Sequence, residues 1–431
     1  MKRIIITFAL FLPLLLQAQT QLSLQSALDT ALRNNLDIQI AKNYVQIAKA
    51  SNNYGYAGGL PYINATASDN LGLNSINQKY STGAETNESN ILGNGINTGI
   101  SANIVLFNGF KVMATKKRLG LIQKQSEIEL NAQVQDLIAA VMLKYYDIIR
   151  QQGNLRIMQS VFEMSQKKLD IVNEKKAVGM ANGVVIMQAQ SDVNTARQNL
   201  TTQQLIIEQE KNELMQLINS RQKPDFTISD SITIDGSLVL DSINTYLKRN
   251  PYLQSAEEQV RINEQLLRET NAQRYPSLKL NTAYNFGRSE YNSGYTLLNQ
   301  NYGPTVGLTI AVPIFNSNVY HTQKIVAGLN VSNAKLQKEN LSHSLETTVV
   351  NKYNAYTTTL QQIASQQQNF ALAKQLMELV LQNFQLGQAT ILEVKAAQAS
   401  YESAAYQLIN FQYAAKSAEI QLKQLIYQLR Y

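Results

Sequence analysis

The sequence predicts a mixed α and β chain, built as an internal tandem duplication, whose four amphipathic strands form part of a transmembrane β-barrel flanked by very long helices. Three observations carry this. First, Tyr302–Phe315 alternates strictly: Pro304, Val306, Leu308, Ile310, Val312 and Ile314 are apolar, while Gly303, Thr305, Gly307, Thr309 and Ala311 are small or polar. A period of two marks a strand with one apolar and one wet face. Second, the flanking helical patterns are too long to fold back as a compact lid, so lipid suits the apolar face better than a protein core. Third, the order helix, strand pair, long helix, turn, helix occurs twice.

Composition narrows the class. Of 431 residues, 44% are hydrophobic and only 16% charged, against about a quarter charged in ordinary globular domains. The formal charge is +7, but Lys and Arg are scattered beside Glu and Asp, with no basic run interleaved with aromatics. Nucleic acid is therefore not an expected partner. The chain has no Cys, so neither a disulfide nor lipid attachment through a cysteine is possible. Met1–Gln19 reads as a secretory signal: Lys2 and Arg3, then the apolar run Ile4–Leu16, then a cleavage site after Ala18. The apolar run falls short of the roughly 20 residues of a spanning helix.

The expected organisation is a signal peptide at 1–18, a first repeat at 19–220, a linker at 221–241 and a second repeat at 242–431. In the first repeat, Leu22–Asn35 and Leu36–Tyr54 carry apolar residues at helical spacing, broken at Asn34-Asn35. Gly58-Gly59-Leu60-Pro61 stops the second of them, since proline disfavours helix in the residue before it. Strands are expected at about 61–73 and 95–107, joined by a polar loop at Asn74–Asn94. A helical pattern without internal proline then runs from about Phe107 to Val178, with Val134, Ile138, Val141, Tyr145, Ile148 and Ile149 as its apolar stripe. A shorter helix is expected from Val184 to Asn219, and one short strand at Phe226–Ile228 inside the linker.

The second repeat answers the first. Asn250-Pro251 matches Asn34-Asn35, and Tyr275-Pro276 matches Leu60-Pro61 at a spacing of 215 (276 less 61). Phe315-Asn316 matches Phe107-Asn108 at 208 (315 less 107), and Gly387 and Gln398 keep that spacing from Gly179 and Gln190. The length difference therefore falls between the paired strands, where a loop tolerates it. Strands are expected at about 276–287 and 303–315, helices at Tyr252–Gln273, Val319–Leu386 and Ile391–Leu429.

Four strands cannot close a barrel, and open edges are not tolerated in lipid, so the chain must assemble in a ring. Asn97, Ser101, Asn103, Lys279, Asn281, Thr305 and Thr309 are expected to face a wet lumen. Ile96, Ile100, Ile104, Leu106, Val306, Leu308, Ile310, Val312 and Ile314 are expected to face lipid. Tyr62, Phe107, Phe110, Tyr275, Phe286, Tyr302 and Phe315 lie near strand ends, as packing residues or as interfacial aromatics.

The signal, the duplicated unit and the turns Val178–Asn182 (VGMAN) and Leu386–Val394 (LGQATILEV) resemble the TolC family of outer-membrane efflux proteins. Gly387, Thr390, Glu393 and Val394 match that family's turn motif, whereas Asn182 and Val185 replace its hydroxyl and acidic positions in the first copy. The resemblance implies a homotrimer with a barrel of about twelve strands, continued by a coiled-coil α-helical barrel across the periplasm. It also implies a periplasmic adaptor and an inner-membrane pump as partners, docking at Val178, Gly179, Met180, Leu386, Gly387 and Gln388. Glu393 would belong to an acidic ring at the periplasmic gate, thinned because Ala396 replaces a second acid. Independently of the family, Thr390 with Glu393 forms a capping-box sequence, and Asn182 suits a helix cap.

No catalytic constellation or cofactor site is expected. His321 and His343 have no carboxylate at ligand spacing, and Gly93-Asn94-Gly95 precedes a strand rather than a helix. The expected function is the exit duct of a tripartite efflux system for small toxic compounds. A duct for polypeptide secretion and a non-porous periplasmic coiled coil are the alternatives.

Overall fold

The computed structural model describes residues 20–221, 225–294 and 296–429. The expected signal peptide at 1–18 lies outside the described residues. The chain divides into two units, one made of Met1–Gln39, Ala132–Asn250 and Ser344–Tyr431, the other of Ile40–Asn131 and Pro251–His343.

The second unit holds one antiparallel four-stranded sheet in the order β2-β3-β5-β6, formed by β2 (Tyr62–Lys79), β3 (Glu85–Asn108), β5 (Ser277–Tyr291) and β6 (Leu298–Ala311). Its outermost strands are β2 and β6. The expected loop at Asn74–Asn94 is instead the outer part of a long ribbon: Ile76 pairs with Glu88 and Lys79 with Glu85, and Tyr80 donates its N–H to Ala84 at 2.9 Å across the turn. Asn, Ser and Thr look loop-like in sequence, but a ladder satisfies the backbone whatever the side chains are. The Asn292 N–H also donates to the Leu92 carbonyl at 3.1 Å, and Asn292 Oδ1 accepts from the Leu92 N–H at 2.9 Å.

β6 ends at Ala311, before the expected boundary, so Val312 and Ile314 lie outside the strand. Pro313 lacks the N–H that a further ladder position needs. Leu106 is also displaced: a bulge between Val105 and Phe107 puts Phe107, not Leu106, opposite Leu278.

The first unit is helical. Here β1 (Thr20–Gln21) pairs in parallel with β4 (Phe226–Thr227), and α1 (Leu24–Asn34) is capped by Ser23. α5 covers Leu240–Tyr246, while most of α2 (Leu36–Ser51) and all of α6 (Pro251–Ala272) belong to the second unit. α5 and the 3-10 turn Leu247–Arg249 that follows it were not anticipated from the sequence. The long helices are α3 (Lys111–Ala177) and α7 (Val319–Gln385), each 67 residues. At ~1.5 Å per residue, such a helix is about 100 Å long. The return helices α4 (Gly183–Leu217) and α8 (Ile391–Leu425) are 35 residues each. Both long helices and both return helices keep the spacing of 208 at each end (319 less 111, 425 less 217), so the duplication is in the structure as well as the sequence.

Helix packing follows the stripes. Ile138, Val141, Tyr145 and Ile148 of α3 are fully buried. Val349 and Tyr356 of α7 pack with Ile243, Leu247, Ala418, Leu422 and Ile426. Among the described residues no helix is long and apolar enough to cross a membrane.

Candidate functional site

Two places carry the expected functional residues, one in each unit. In the sheet, register sorts the side chains onto two faces, because residues directly opposite in an antiparallel pair share a face. One face is apolar. Ala65, Ile100, Tyr284 and Pro304 follow one another across the four strands, and Ile104, Leu280 and Leu308 form a parallel row. Ile96, Val306 and Ile310 lie on this same face, opposite Arg288, Thr282 and Leu278. Its side chains stand open: Ile100 is 59% exposed, Leu308 65% and Val306 76%.

The other face is polar and almost uncharged. Asn64, Ser101, Ala283 and Thr305 make one row, and Asn103, Asn281 and Gly307 another. Asn97 is opposite Gly287, and Lys279 lies between Val105 and Thr309. Glycine makes room for asparagine here. A Cβ on Gly99 would fall 2.5 Å from Asn285 Oδ1, and one on Gly287 2.5 Å from Asn301 Oδ1. Asn281 Nδ2 donates to Thr309 Oγ1 at 2.8 Å, tying β5 to β6 through side chains. Alternation identifies these faces in the sequence, but the Asn–Gly lattice depends on register and was not visible there. At the helix-side end of the sheet, Phe107 and Phe110 meet edge to face with ring centroids 5.3 Å apart.

In the helical unit, the two turns after α3 and α7 have one design. Gly179 has φ +76° and Gly387 φ +78°, the left-handed conformation that glycine adopts without steric cost. Met180 donates to the Lys175 carbonyl at 2.7 Å and Gln388 to the Asn383 carbonyl at 2.8 Å, while Gly179 and Gly387 bond back to Lys176 and Phe384. This double closure is a Schellman motif, which satisfies carbonyls at the helix end. Val178, Met180 and Leu386 are exposed at 70%, 70% and 72%.

The next helices begin on side-chain caps. Asn182 Oδ1 accepts from the Val185 N–H at 3.1 Å at the start of α4. At the start of α8, Thr390 Oγ1 accepts from the Glu393 N–H at 3.3 Å, and Glu393 Oε2 accepts from the Thr390 N–H at 2.6 Å and from the Thr390 hydroxyl at 2.9 Å. The donation from the Thr390 N–H, with that from its hydroxyl, holds the Glu393 carboxyl below the usual carboxylate range.

Contacts between the two turns were missed in the sequence. Lys175 Nζ donates to the Phe384 carbonyl and sits 4.2 Å from the centre of its ring. Asp192 on α4 takes buried Lys168 of α3 at 2.5 Å and lies 3.5 Å from Lys395 of α8. Leu169, Val172, Val193, Met377, Phe384 and Val394 form the apolar cluster beneath. No local motif announces such pairs, since each depends on how helices far apart in sequence pack.

His321 is exposed in the first turn of α7, and His343 lines a groove beside Glu257, Arg261 and Glu264 of α6. Among the described residues no three His, Cys, Asp or Glu side chains gather to hold a metal.

Residues 27–220 and 242–426 match the family described as outer membrane efflux protein. The chain is similar to the cation efflux system protein CusC of Escherichia coli K12, 23% identical over 92% of this chain and 85% of that protein. It is 22% identical to the toluene efflux pump outer membrane protein TtgC of Pseudomonas putida over 74% of its own length, and spans 63% of TtgC. The solved structure of the outer membrane protein VceC from Vibrio cholerae matches with a TM-score of 0.78, at 17% identity, over 94% of this chain and 95% of VceC. The chain belongs to the outer membrane efflux protein family, a protein of the bacterial outer membrane with the fold of a channel.

Proposed function

We propose that this chain assembles as a homotrimer whose three four-stranded sheets close into one barrel of about twelve strands, the exit duct of a tripartite efflux system. The observation that supports this most is the sheet itself: two coherent, open faces of opposite character, ending in the edge strands β2 and β6. An isolated edge in lipid leaves backbone groups without partners, and pairing β6 of one copy with β2 of the next removes every edge. The apolar face then meets lipid and the polar face lines water.

The duct is passive. Solutes come from an inner-membrane pump through a periplasmic adaptor, which docks on the turns at Val178, Gly179, Met180, Leu386, Gly387 and Gln388. Their exposed apolar side chains support that role. Glu393, beyond its capping bonds, contributes carboxylates near the periplasmic gate. The names of TtgC and CusC, for toluene and cation efflux, favour small toxic compounds as cargo over polypeptides.

The test is reconstitution of the full mature protein in planar bilayers, with electrophoresis of unheated and heated samples. The proposal expects discrete conductance steps and a trimer that heat dissociates. A monomer that inserts without conductance would contradict it.

A further inference from the structure

We propose that Lys279 is the charge-selectivity residue of the duct, drawing anionic solutes through the barrel and disfavouring cations; this rests on the reading above that the polar face lines the lumen. Within the part of the sheet where register is continuous, the polar face is built from Asn, Ser, Thr, Gly and Ala with a few other neutral side chains. It runs over Tyr62–Asn74, Gly93–Val105, Ser277–Tyr291 and Asn299–Ala311, and Lys279 is its one charged residue. The charges of Asp69, Arg288 and Glu290 belong to the opposite face.

Among the described residues the lysine has no counter-charge opposite it on the sheet. Its cross-strand neighbours are Val105 and Thr309, and the adjoining positions of its own strand on that face are Ser277 and Asn281. It is exposed and, among the described residues, makes no ion pair and caps no carbonyl. Hydration of the face is already supplied by the amide and hydroxyl side chains, so the ammonium group is not needed to wet it.

Three copies put three such cations around one axis. A water-filled passage with low-dielectric walls focuses their field and concentrates ions of opposite sign. The reach of that field is about 10 Å at 0.1 M salt and about 3 Å at 1 M, so the effect is largest in dilute salt. The solutes favoured are those carrying a carboxylate, phosphate or sulfonate group.

The test compares the assembled parent with Lys279→Gln, Lys279→Glu and Lys279→Arg in planar bilayers under a KCl gradient. The chloride-to-potassium permeability ratio should fall in Lys279→Gln, fall further in Lys279→Glu, hold in Lys279→Arg, and differ least between variants at 1 M salt. Thr309→Cys, directly opposite, is the independent check, and the absence of native Cys makes labelling unambiguous. If a membrane-impermeant thiol reagent modifies Thr309→Cys in a conducting channel but the ratio is the same in all four proteins, the Lys279 proposal is overturned while the duct reading stands. If the reagent does not reach Thr309→Cys in the assembled protein, the lumen assignment fails and the Lys279 proposal falls with it.

Discussion

The Thr390 N–H donates to Glu393 Oε2 at 2.6 Å, and the Glu393 N–H donates back to Thr390 Oγ1 at 3.3 Å. This reciprocal box uses the carboxylate that the family resemblance gives to the gate, so the two roles need separating. Glu393→Gln removes charge but keeps an acceptor, and Thr390→Ala removes the cap's hydroxyl but keeps the charge. In single-channel recording, Glu393→Gln should shift permeability further toward anions and lose block by multivalent cations, while Thr390→Ala leaves both as in the parent. If Glu393→Gln behaves as the parent, Glu393 is a helix cap alone.

The same carboxyl sets a pH dependence. Its pKa in the folded chain is lowered by the Thr390 donors, so its contribution to the start of α8 is present above the unfolded carboxylate value of about 4.3 and is lost as pH falls through the lower folded value. The protection factor of the amides in the first turn of α8, their exchange corrected for its intrinsic pH dependence, should be high at neutral pH and fall in acid. An unchanged protection factor between pH 7 and 3 would remove this coupling.

Asn35 and Asn250 close the ends of α4 and α8 in the same way. Asn35 Nδ2 donates to the Leu217 carbonyl at 3.0 Å, and Asn250 Nδ2 to the Leu425 carbonyl at 2.9 Å. Both side chains are buried. Replacing either by Ala leaves a part-buried carbonyl without that donor, at a cost of about 1 kcal/mol. Denaturation of the two single variants should show comparable losses, and a loss in only one would mean the repeats no longer share this device.

The linker is held by a polar node. The Tyr356 hydroxyl donates to the Asp235 carbonyl, the Asp235 N–H donates to Glu419 Oε2 at 3.0 Å, and Lys423 bridges Asp235 at 2.9 Å and Glu419 at 2.8 Å. The Ser237 hydroxyl, with Lys423, holds the Asp235 carboxyl far below the usual range. Tyr356→Phe should cost about 1 kcal/mol, and Asp235→Asn less because its side chain is partly exposed. Both should speed proteolysis around 230–240, and equal cleavage in parent and variants would put the anchor elsewhere.

Legibility in the sequence follows the range of the interactions. The turns at Gly179 and Gly387 were readable because a left-handed helix end needs glycine locally. The sheet faces were readable from alternation, and the duplication from the constant spacing. What failed depended on partners. The ribbon at 76–88 exists because two polar segments bond to each other, and Leu106 lost its ladder position to a bulge that alternation does not reveal. Lys175 on Phe384 and Asp192 between Lys168 and Lys395 arise from helix packing across the repeats. Val312 and Ile314 kept the alternating pattern beyond the point where Pro313 ends the ladder.

Charge tolerance should divide by face. Arg at Ile100 or Leu308 should cost about 2–4 kcal/mol if near mid-bilayer and reduce trimer assembly. Arg at Ser101 or Thr309 should leave assembly intact and alter conductance.

The most direct test of the central claim labels single cysteines on the two faces in the membrane-inserted protein. Ser101→Cys and Thr309→Cys should react with a water-soluble, membrane-impermeant thiol reagent, while Ile100→Cys and Leu308→Cys react only with one dissolved in the bilayer. Equal reaction of all four with the water-soluble reagent, or the reverse pattern, would contradict a barrel with lipid on one face of this sheet and water on the other.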